Sequence, residues 1–374
     1  MRIACISSSF IPASTANSIQ VVKAAHALAE LGHDVTLFVP GQTEVPWDEL
    51  KSHYGVQTPF KIHWIAENLA YKRYDFAYKA VREARQMNPD LLYTWVLQAG
   101  VLALWQGIPT ILEMHDRVTG RIGPWLFRWF CKSKTRHRLV TITDALRKVL
   151  ISDFNLDAAT TEIVIAPDGV DLERYQDLSS PAVARRNLGM SEGFTVGYTG
   201  HFYGGRGIEL MFNLAKALPE FQFVWVGGNP DAVSKWQGKL RREKVRNIIL
   251  TGFIDNALLP QYQAAAEVLL MPYETTITGS GGGDTADIAS PMKMFEYMAA
   301  GRAIISSDLP VIYEVLDETM AVFCPPGDLD AWQQALSRLR ENPAARELLG
   351  QNARVAVEAY TWRSRSERAL ADFL

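Results

Sequence analysis

Cysteine is scarce in this chain: Cys5, Cys131 and Cys324 stand far apart and no C-x-x-C pair occurs. That spacing indicates neither a disulfide framework nor a zinc site, so a reducing cytoplasm is the simplest home. Charge of one sign is lacking too. A net charge of −3, from 38 basic and 41 acidic residues, gives no reason to expect nucleic acid as a partner. Long hydrophobic runs are missing: the apolar part of Met1 to Ser9 is too short for a signal peptide, and no later segment is long enough to span a bilayer. No G-x-G-x-x-G follows the first apolar run and no G-K-[ST] occurs anywhere, which removes the main support for a dinucleotide-dependent dehydrogenase or a P-loop enzyme. No internal repeat of solenoid period is present.

What is there is the make-up of a soluble enzyme, with 374 residues, 48% apolar and 21% charged, enough for two domains that each bury a core. Short apolar runs alternate with helical patterns from end to end, the mark of α/β domains with doubly wound parallel sheets. A first sheet is expected to use Ile3–Ser7, Val35–Val39, Ile62–Ile65, Leu91–Trp95, Thr110–Met114, Leu139–Thr143 and Ile163–Ala166. A second is expected to use Phe194–Tyr198, Phe223–Val226, Ile248–Thr251, Val268–Met271, Ala303–Ser306 and Ala321–Cys324. Between the first two strands Val21, Ala25 and Leu28 recur at helical spacing, with Asn17 or Ser18 as cap and Gly32 as terminator. The seam falls between Pro167 and Gly193, giving Rossmann-like domains over 1–175 and 176–360 and a last helical segment over 361–374. Ligand sites on such sheets lie at the carboxyl ends of the strands, so the expected working site is a cleft across which the two domains face each other.

The most telling stretch is Ser290-Pro291-Met292-Lys293-Met294-Phe295-Glu296, which runs on to Gly301. Ser290 reads as N-cap, Pro291 as the first helical position and Gly301 as the stop, with a buried strand after it. The open amides of such a helix start favour an anion, and the glycine-rich Gly279 to Gly283 just before it suits closure over a ligand. Lys293 adds a full positive charge one turn in, and Glu296 on the same face offers a carboxylate to the hydroxyls of a ribose. Met292 lies between Pro291 and Lys293 in the first turn. Taken alone, Lys293 and Glu296 read equally as an i,i+3 surface ion pair.

This stretch resembles the C-terminal domain signature of retaining glycosyltransferases of family 4, which have the GT-B fold. The resemblance covers nearly the whole chain and implies transfer of a sugar from a nucleoside-diphosphate donor to a glycan, lipid-linked or small-molecule acceptor. It further implies retention of configuration, neither cofactor nor metal, an acceptor held by the first domain and a last helix that crosses back to it. Asp168-Gly169-Val170-Asp171 resembles the family's N-G-V-D turn that leaves the first domain. Gly200-His201-Phe202-Tyr203-Gly204-Gly205-Arg206-Gly207 resembles its G-R-L-x-x-x-K-G, with Arg206 in the lysine place and His201 where the arginine usually stands. A cation at that helix start opposes the macrodipole, which favours a ligand-binding role for Arg206; the bland reading is a glycine-rich turn with an incidental arginine. The family's first glutamate is replaced by Ile288, so only the ribose-binding role passes, to Glu296.

In the first domain Thr110 to Met114 is a buried strand ending in His115, Asp116 and Arg117, similar to the family's E-x-H-D run, and the resemblance places His115 at the sugar and acceptor. A lone histidine after a strand also serves structure alone, and Asp116 and Arg117 also read as a bracing pair. Asn17 and Ser18 lie in the first strand-to-helix loop, where relatives have paired glycines. The candidate clamp on the diphosphate is thus Arg206 and Lys293, with Gly200, His201, Ser290, Pro291, Met292, Glu296, Asn17 and Ser18 around the donor. Arg117 to Arg138 interleaves Arg121, Arg128, Lys132, Lys134, Arg136 and Arg138 with Trp125, Phe127, Trp129 and Phe130 and contains no acid. That composition suits peripheral contact with an anionic membrane, and equally a core helix with a solvated basic face. The rival functions are a nucleotide-sugar epimerase of the same architecture and a catalytically silent nucleotide-binding subunit.

Overall fold

The computed structural model describes residues 1–68, 74–157, 161–277 and 283–373. The chain divides into two units, Met1–Asp168 with Trp362–Leu374, and Gly169–Thr361. Among the described residues the first unit contains strands β1 (Arg2–Ile6), β2 (Asp34–Pro40), β3 (Lys61–Ile65), β4 (Leu91–Thr94), β5 (Thr110–Met114), β6 (His137–Thr141) and β7 (Ile163–Ile165). They form one parallel sheet in the order β3-β2-β1-β4-β5-β6-β7. The second unit contains β8 (Thr195–Thr199), β9 (Gln222–Val226), β10 (Ile248–Gly252), β11 (Val268–Met271), β12 (Ala303–Ser307) and β13 (Ala321–Cys324), parallel in the order β10-β9-β8-β11-β12-β13. Every expected strand is present within two residues.

These orders reverse at β1/β4 and at β8/β11, the places where a doubly wound sheet opens a crevice beyond its carboxyl ends. The residues that leave those ends are Ser8 and Trp95 in the first unit, and Gly200 and Tyr273 in the second. The strands can be apolar throughout because helices cover both faces. Ile3, Cys5, Leu37, Tyr93 and Ile111 are buried in the first unit, and Val196, Tyr198, Trp225, Leu270 and Ile305 in the second. Each such large apolar side chain contributes about 1.5–3 kcal/mol.

Local chemistry corrects several boundaries. The first helix is Ala16–Glu30, and its cap is Thr15, whose hydroxyl accepts from the Ser18 amide at 3.3 Å, rather than Asn17 or Ser18. Strand β6 stops at Thr141 because Thr143 is taken up capping the helix Asp144–Phe154, accepting from Leu146 at 3.1 Å. The division falls at Asp168, seven residues before the expected 175, because Val170 already pairs as a parallel bridge with Thr361 in the second unit. The last helix, Trp362–Leu370, lies in the first unit and packs on Ala16–Glu30. Among the described residues no helix is long and apolar enough to cross a membrane.

Candidate active site

In the second unit the chain leaves β8 into Gly200 at φ +142°, a conformation that L residues rarely adopt, and a Cβ there would come within 2.8 Å of the Lys293 Nζ. Gly207, at φ +68°, precedes the helix Ile208–Ala217; a Cβ on it would lie 1.9 Å from the Pro272 carbonyl oxygen. Only glycine permits that approach. The turn they shape brings Arg206 to the end of β11, where its Cζ lies 5.2 Å from the ring centroid of Tyr273.

Lys293 reaches the same place from the other side of the sequence. Its Nζ sits 3.8 Å from the centroid of Tyr198 and 5.4 Å from that of Tyr273. Burial first, and the neighbouring Arg206 second, hold the Lys293 ammonium well below the usual lysine range, while Glu296 pulls the other way. No ion pair joins Lys293 and Glu296 among the described residues. Instead the half-buried Glu296 accepts from the Gln263 side-chain amide at 3.2 Å, and Gln263 in turn accepts from the Tyr175 hydroxyl at 2.9 Å. The surface-pair reading therefore gives way to a carboxylate held by a buried polar chain.

The helix that carries these two residues is Met292–Ala300, ended by Gly301 in the left-handed conformation as expected. Its start differs from expectation. Pro291 is the cap, Met292 the first helical residue, and no side chain caps the helix; Ser290 is buried one residue too early. Proline has no side-chain acceptor, so the first-turn amides receive no side-chain bond. Of the glycine-rich run ahead of it, Gly279 to Gly282 lie outside the described residues. Ile288, in the first glutamate's place, is fully buried core. His201 stacks on Tyr203, centroids 4.8 Å apart and planes 11° apart, and its carbonyl accepts from the Tyr198 hydroxyl at 2.8 Å.

In the first unit His115 leaves β5 half-buried, and its Nε2 meets Oε1 of Glu113 at 2.5 Å. Glu113 is wholly buried and also accepts from Gln20 at 2.7 Å, from the Tyr93 hydroxyl and from Arg365. Desolvation alone would raise its pKa, yet the Arg365 and His115 charges and the donated bonds outweigh it and hold the carboxyl far below the usual range. Asp168 is buried in the same surroundings; burial pushes it up to about 6 although His115 and Arg365 pull it down. Asp116 accepts a hydrogen bond from the Arg117 backbone amide at 2.7 Å. Asn17 is exposed on the first helical turn, whereas Ser18 is fully buried with its hydroxyl bonded to that of Tyr54.

Sequence reasoning named the cations and the acid but missed Tyr198, Tyr273, Gln263, Glu113 and Arg365. The signal for Glu113 was available: an acid inside the apolar run T-I-L-E-M has to find a partner. A concavity of about 510 Å³ opens at the carboxyl ends of β1, β4 and β5, lined among others by Ser8, Trp95, Gln98, Met114, Arg117 and Thr119. A second, of about 570 Å³, is lined by Trp105, Trp125, Arg128, Trp129, Lys132 and Lys134. Arg136, expected at that basic surface, instead donates to the carbonyls of Phe373 and Asp372 at 3.0 and 2.9 Å and pairs with Glu162 at 3.3 Å, and Arg138 is buried.

Two family profiles match the chain: Glycosyltransferase Family 4 over residues 18–174 and Glycosyl transferases group 1 over residues 193–342, together most of its length. The chain is 23% identical over 373 residues to 2-deoxystreptamine glucosyltransferase of Streptomyces kanamyceticus, covering 87% of this chain and 90% of the relative. It is 25% identical over 281 residues to phosphatidyl-myo-inositol mannosyltransferase of Mycobacterium tuberculosis, covering 72% and 62%. Among solved structures, Anabaena HepE in complex with UDP-glucose aligns at a TM-score of 0.74 and 15% identity over 99% of this chain and 98% of that one, a likeness of fold.

Proposed function

The chain belongs to the glycosyltransferases of family 4 and group 1, with the GT-B fold, and we propose from that premise that it transfers a sugar from a nucleoside-diphosphate sugar to an acceptor hydroxyl with retention of configuration. The observation that carries this reading is the convergence of Arg206 and Lys293 on Tyr273 beside Gly200 and Gly207. Two cations drawn together in a partly dry, glycine-shaped turn repel each other until an anion joins them. A departing diphosphate is such an anion, and fixed cations stabilise the charge it gains as the glycosidic bond breaks. These side chains take the part a divalent cation plays elsewhere, so turnover is expected to survive chelation. Glu296 binds the ribose hydroxyls, and His115 faces the sugar and the acceptor. A uridine donor is the first to try, because HepE was solved with UDP-glucose.

The acceptor is a carbohydrate or a lipid-linked carbohydrate, for which the concavity around Trp95 and Arg117 provides an aromatic face and hydrogen-bonding groups. The concavity of Trp105, Trp125 and Trp129 with Arg128, Lys132 and Lys134 suits an anionic membrane surface, which would bring a lipid-borne acceptor within reach. A silent binding subunit is the second reading, favoured by the buried Ile288. Binding of UDP-, GDP- and ADP-sugars, followed by turnover with sugar acceptors in the presence of EDTA and assignment of the product anomer by NMR, tests the proposal. Donor binding with no turnover on any acceptor selects the silent subunit, and a changed sugar without acceptor selects an epimerase.

A further inference from the structure

Glu113 gathers donors from three separate elements: Gln20 of the first helix, Tyr93 of β4 and Arg365 of the last helix, with His115 as the fourth partner just beyond its own strand. Glu113 and Arg365 are both almost completely buried, at 0% and 2% side-chain exposure, whereas His115 keeps 28%. A carboxylate this dry stays ionised only with a cation against it. An ionised carboxylate only accepts hydrogen bonds, so the His115 Nε2 that meets it must carry the proton. Whenever the ring is neutral, Nδ1 is left as its acceptor.

We infer that Arg365 is a positioning residue for His115. It keeps Glu113 ionised, Glu113 fixes the ring in the Nε2–H tautomer, and Nδ1 is thereby set to accept a hydrogen bond from a hydroxyl of the sugar or acceptor. The logic is that of an acid orienting a histidine in a hydrolase triad, with the arginine added behind the acid. It explains why the chain returns to its first unit after completing the second: the last helix supplies the charge on which the histidine depends. The inference rests on the reading of His115 as a site residue. The ionisable groups around it are Glu113 on β5, Arg365 on the last helix, Asp168 after β7, Tyr93 on β4 and, beside Glu113, Cys5 on β1.

The test is ¹⁵N-histidine NMR on the full chain, with no substrate, for wild type and Arg365→Gln, Arg365→Lys and the charge-free pair Glu113→Gln/Arg365→Gln. Wild type and Arg365→Lys are expected to show Nε2–H as the tautomer of the neutral His115 ring, and Arg365→Gln a mixture of tautomers. With the donor that turns over in the screen above, Arg365→Gln is expected to lower kcat at least tenfold with an unchanged donor KM. Its rate should fall further toward acid pH, because Glu113 now takes up a proton there, and recover toward alkaline pH. The neutral pair, which leaves no buried charge unmatched, should be slow with no such limb. A tautomer and pH profile identical to wild type in Arg365→Gln, with only lower thermal stability, makes the arginine a structural bridge and overturns the inference. Full activity of His115→Ala overturns the underlying role of the histidine instead, and the NMR result separates the two failures.

Discussion

Arg206 and Lys293 share one aromatic ring, with their charged atoms 5.2 and 5.4 Å from the centroid of Tyr273. Each cation–π contact gives about 0.5–2 kcal/mol, but the two cations also oppose one another, and it is Lys293 that yields, its ammonium lowered by burial and by Arg206. The arrangement gathers two basic side chains at the carboxyl ends of β8 and β11.

A proton balance follows from that lowering. Burial and Arg206 make the free protein give up the Lys293 proton at a lower pH than an ordinary lysine does, and a diphosphate bound there is expected to restore it. Between those two pH values UDP binding should take up a proton, and affinity should fall as pH rises. Calorimetric titration with UDP in buffers of different ionisation enthalpy measures the uptake; Lys293→Met should abolish it and weaken UDP at least tenfold. A pH-independent affinity with no uptake would remove Lys293 from the diphosphate.

Replacing Glu296 with Gln should weaken UDP-sugar binding while the fold stays intact. The amide retains an oxygen for the Gln263 donor at 3.2 Å, so the internal bond survives. What is lost is a charge-assisted acceptor for ribose, worth roughly 1.5–3 kcal/mol. Comparison of UDP-glucose with its 2′,3′-dideoxy-uridine analogue is the control: the analogue should bind wild type and variant nearly alike. Equal loss on both ligands would assign Glu296 to the packing of Gln263 and Tyr175.

The parallel strands were legible because burial on both faces leaves continuous apolar runs, as in Ala303–Ser307. The motif glycines were legible because a backbone approach such as that of Gly207 to Pro272 admits no other residue. Helix starts were not. Ser290 and Ser18 satisfy the local pattern of a cap, but the helices begin elsewhere, one residue later than a Ser290 cap would put the first and three earlier than a Ser18 cap would put the second, and both serines pack inside their units. Pairings across long sequence distance were hidden altogether: nothing local in W-R-S-R-S announces that Arg365 meets Glu113. The basic stretch 117–138 divides in a way composition does not reveal, with Arg136 and Arg138 turned to Phe373 and only Arg128, Lys132 and Lys134 joined to the tryptophans.

That division sharpens the membrane proposal. Neutralising Arg128, Lys132 and Lys134 together should reduce co-sedimentation with phosphatidylglycerol vesicles about tenfold or more, since each cation near such a surface contributes about 1 kcal/mol. Thermal stability should hardly change, because Arg128 and both lysines are exposed. Arg136→Gln should do the reverse, lowering stability with little effect on vesicle binding, because it removes bonds to Asp372 and Phe373. Wild-type protein that ignores these vesicles at low salt would point to a soluble acceptor.

Asp168 tests the electrostatics of the first unit from the opposite side. Burial lifts its carboxyl to about 6, against the pull of His115 and Arg365 and with the help of the Glu113 charge. A carboxyl whose folded value exceeds its unfolded one, near 3.9, binds its proton more tightly in the native state. Its stabilising contribution is therefore complete below the unfolded value and is lost as pH rises through about 6, so the ionised group opposes folding at pH 8 by up to roughly 3 kcal/mol. Asp168→Asn removes the ionisation and keeps the shape. The variant should melt a few degrees above wild type at pH 8, with the gap reduced to about a third at pH 4.5 and closed below the unfolded value, as read by thermal denaturation across that range. A variant that is less stable than wild type at pH 8 would mean that the Asp168 charge is needed where it lies, paired with Arg365 and His115 in the native state.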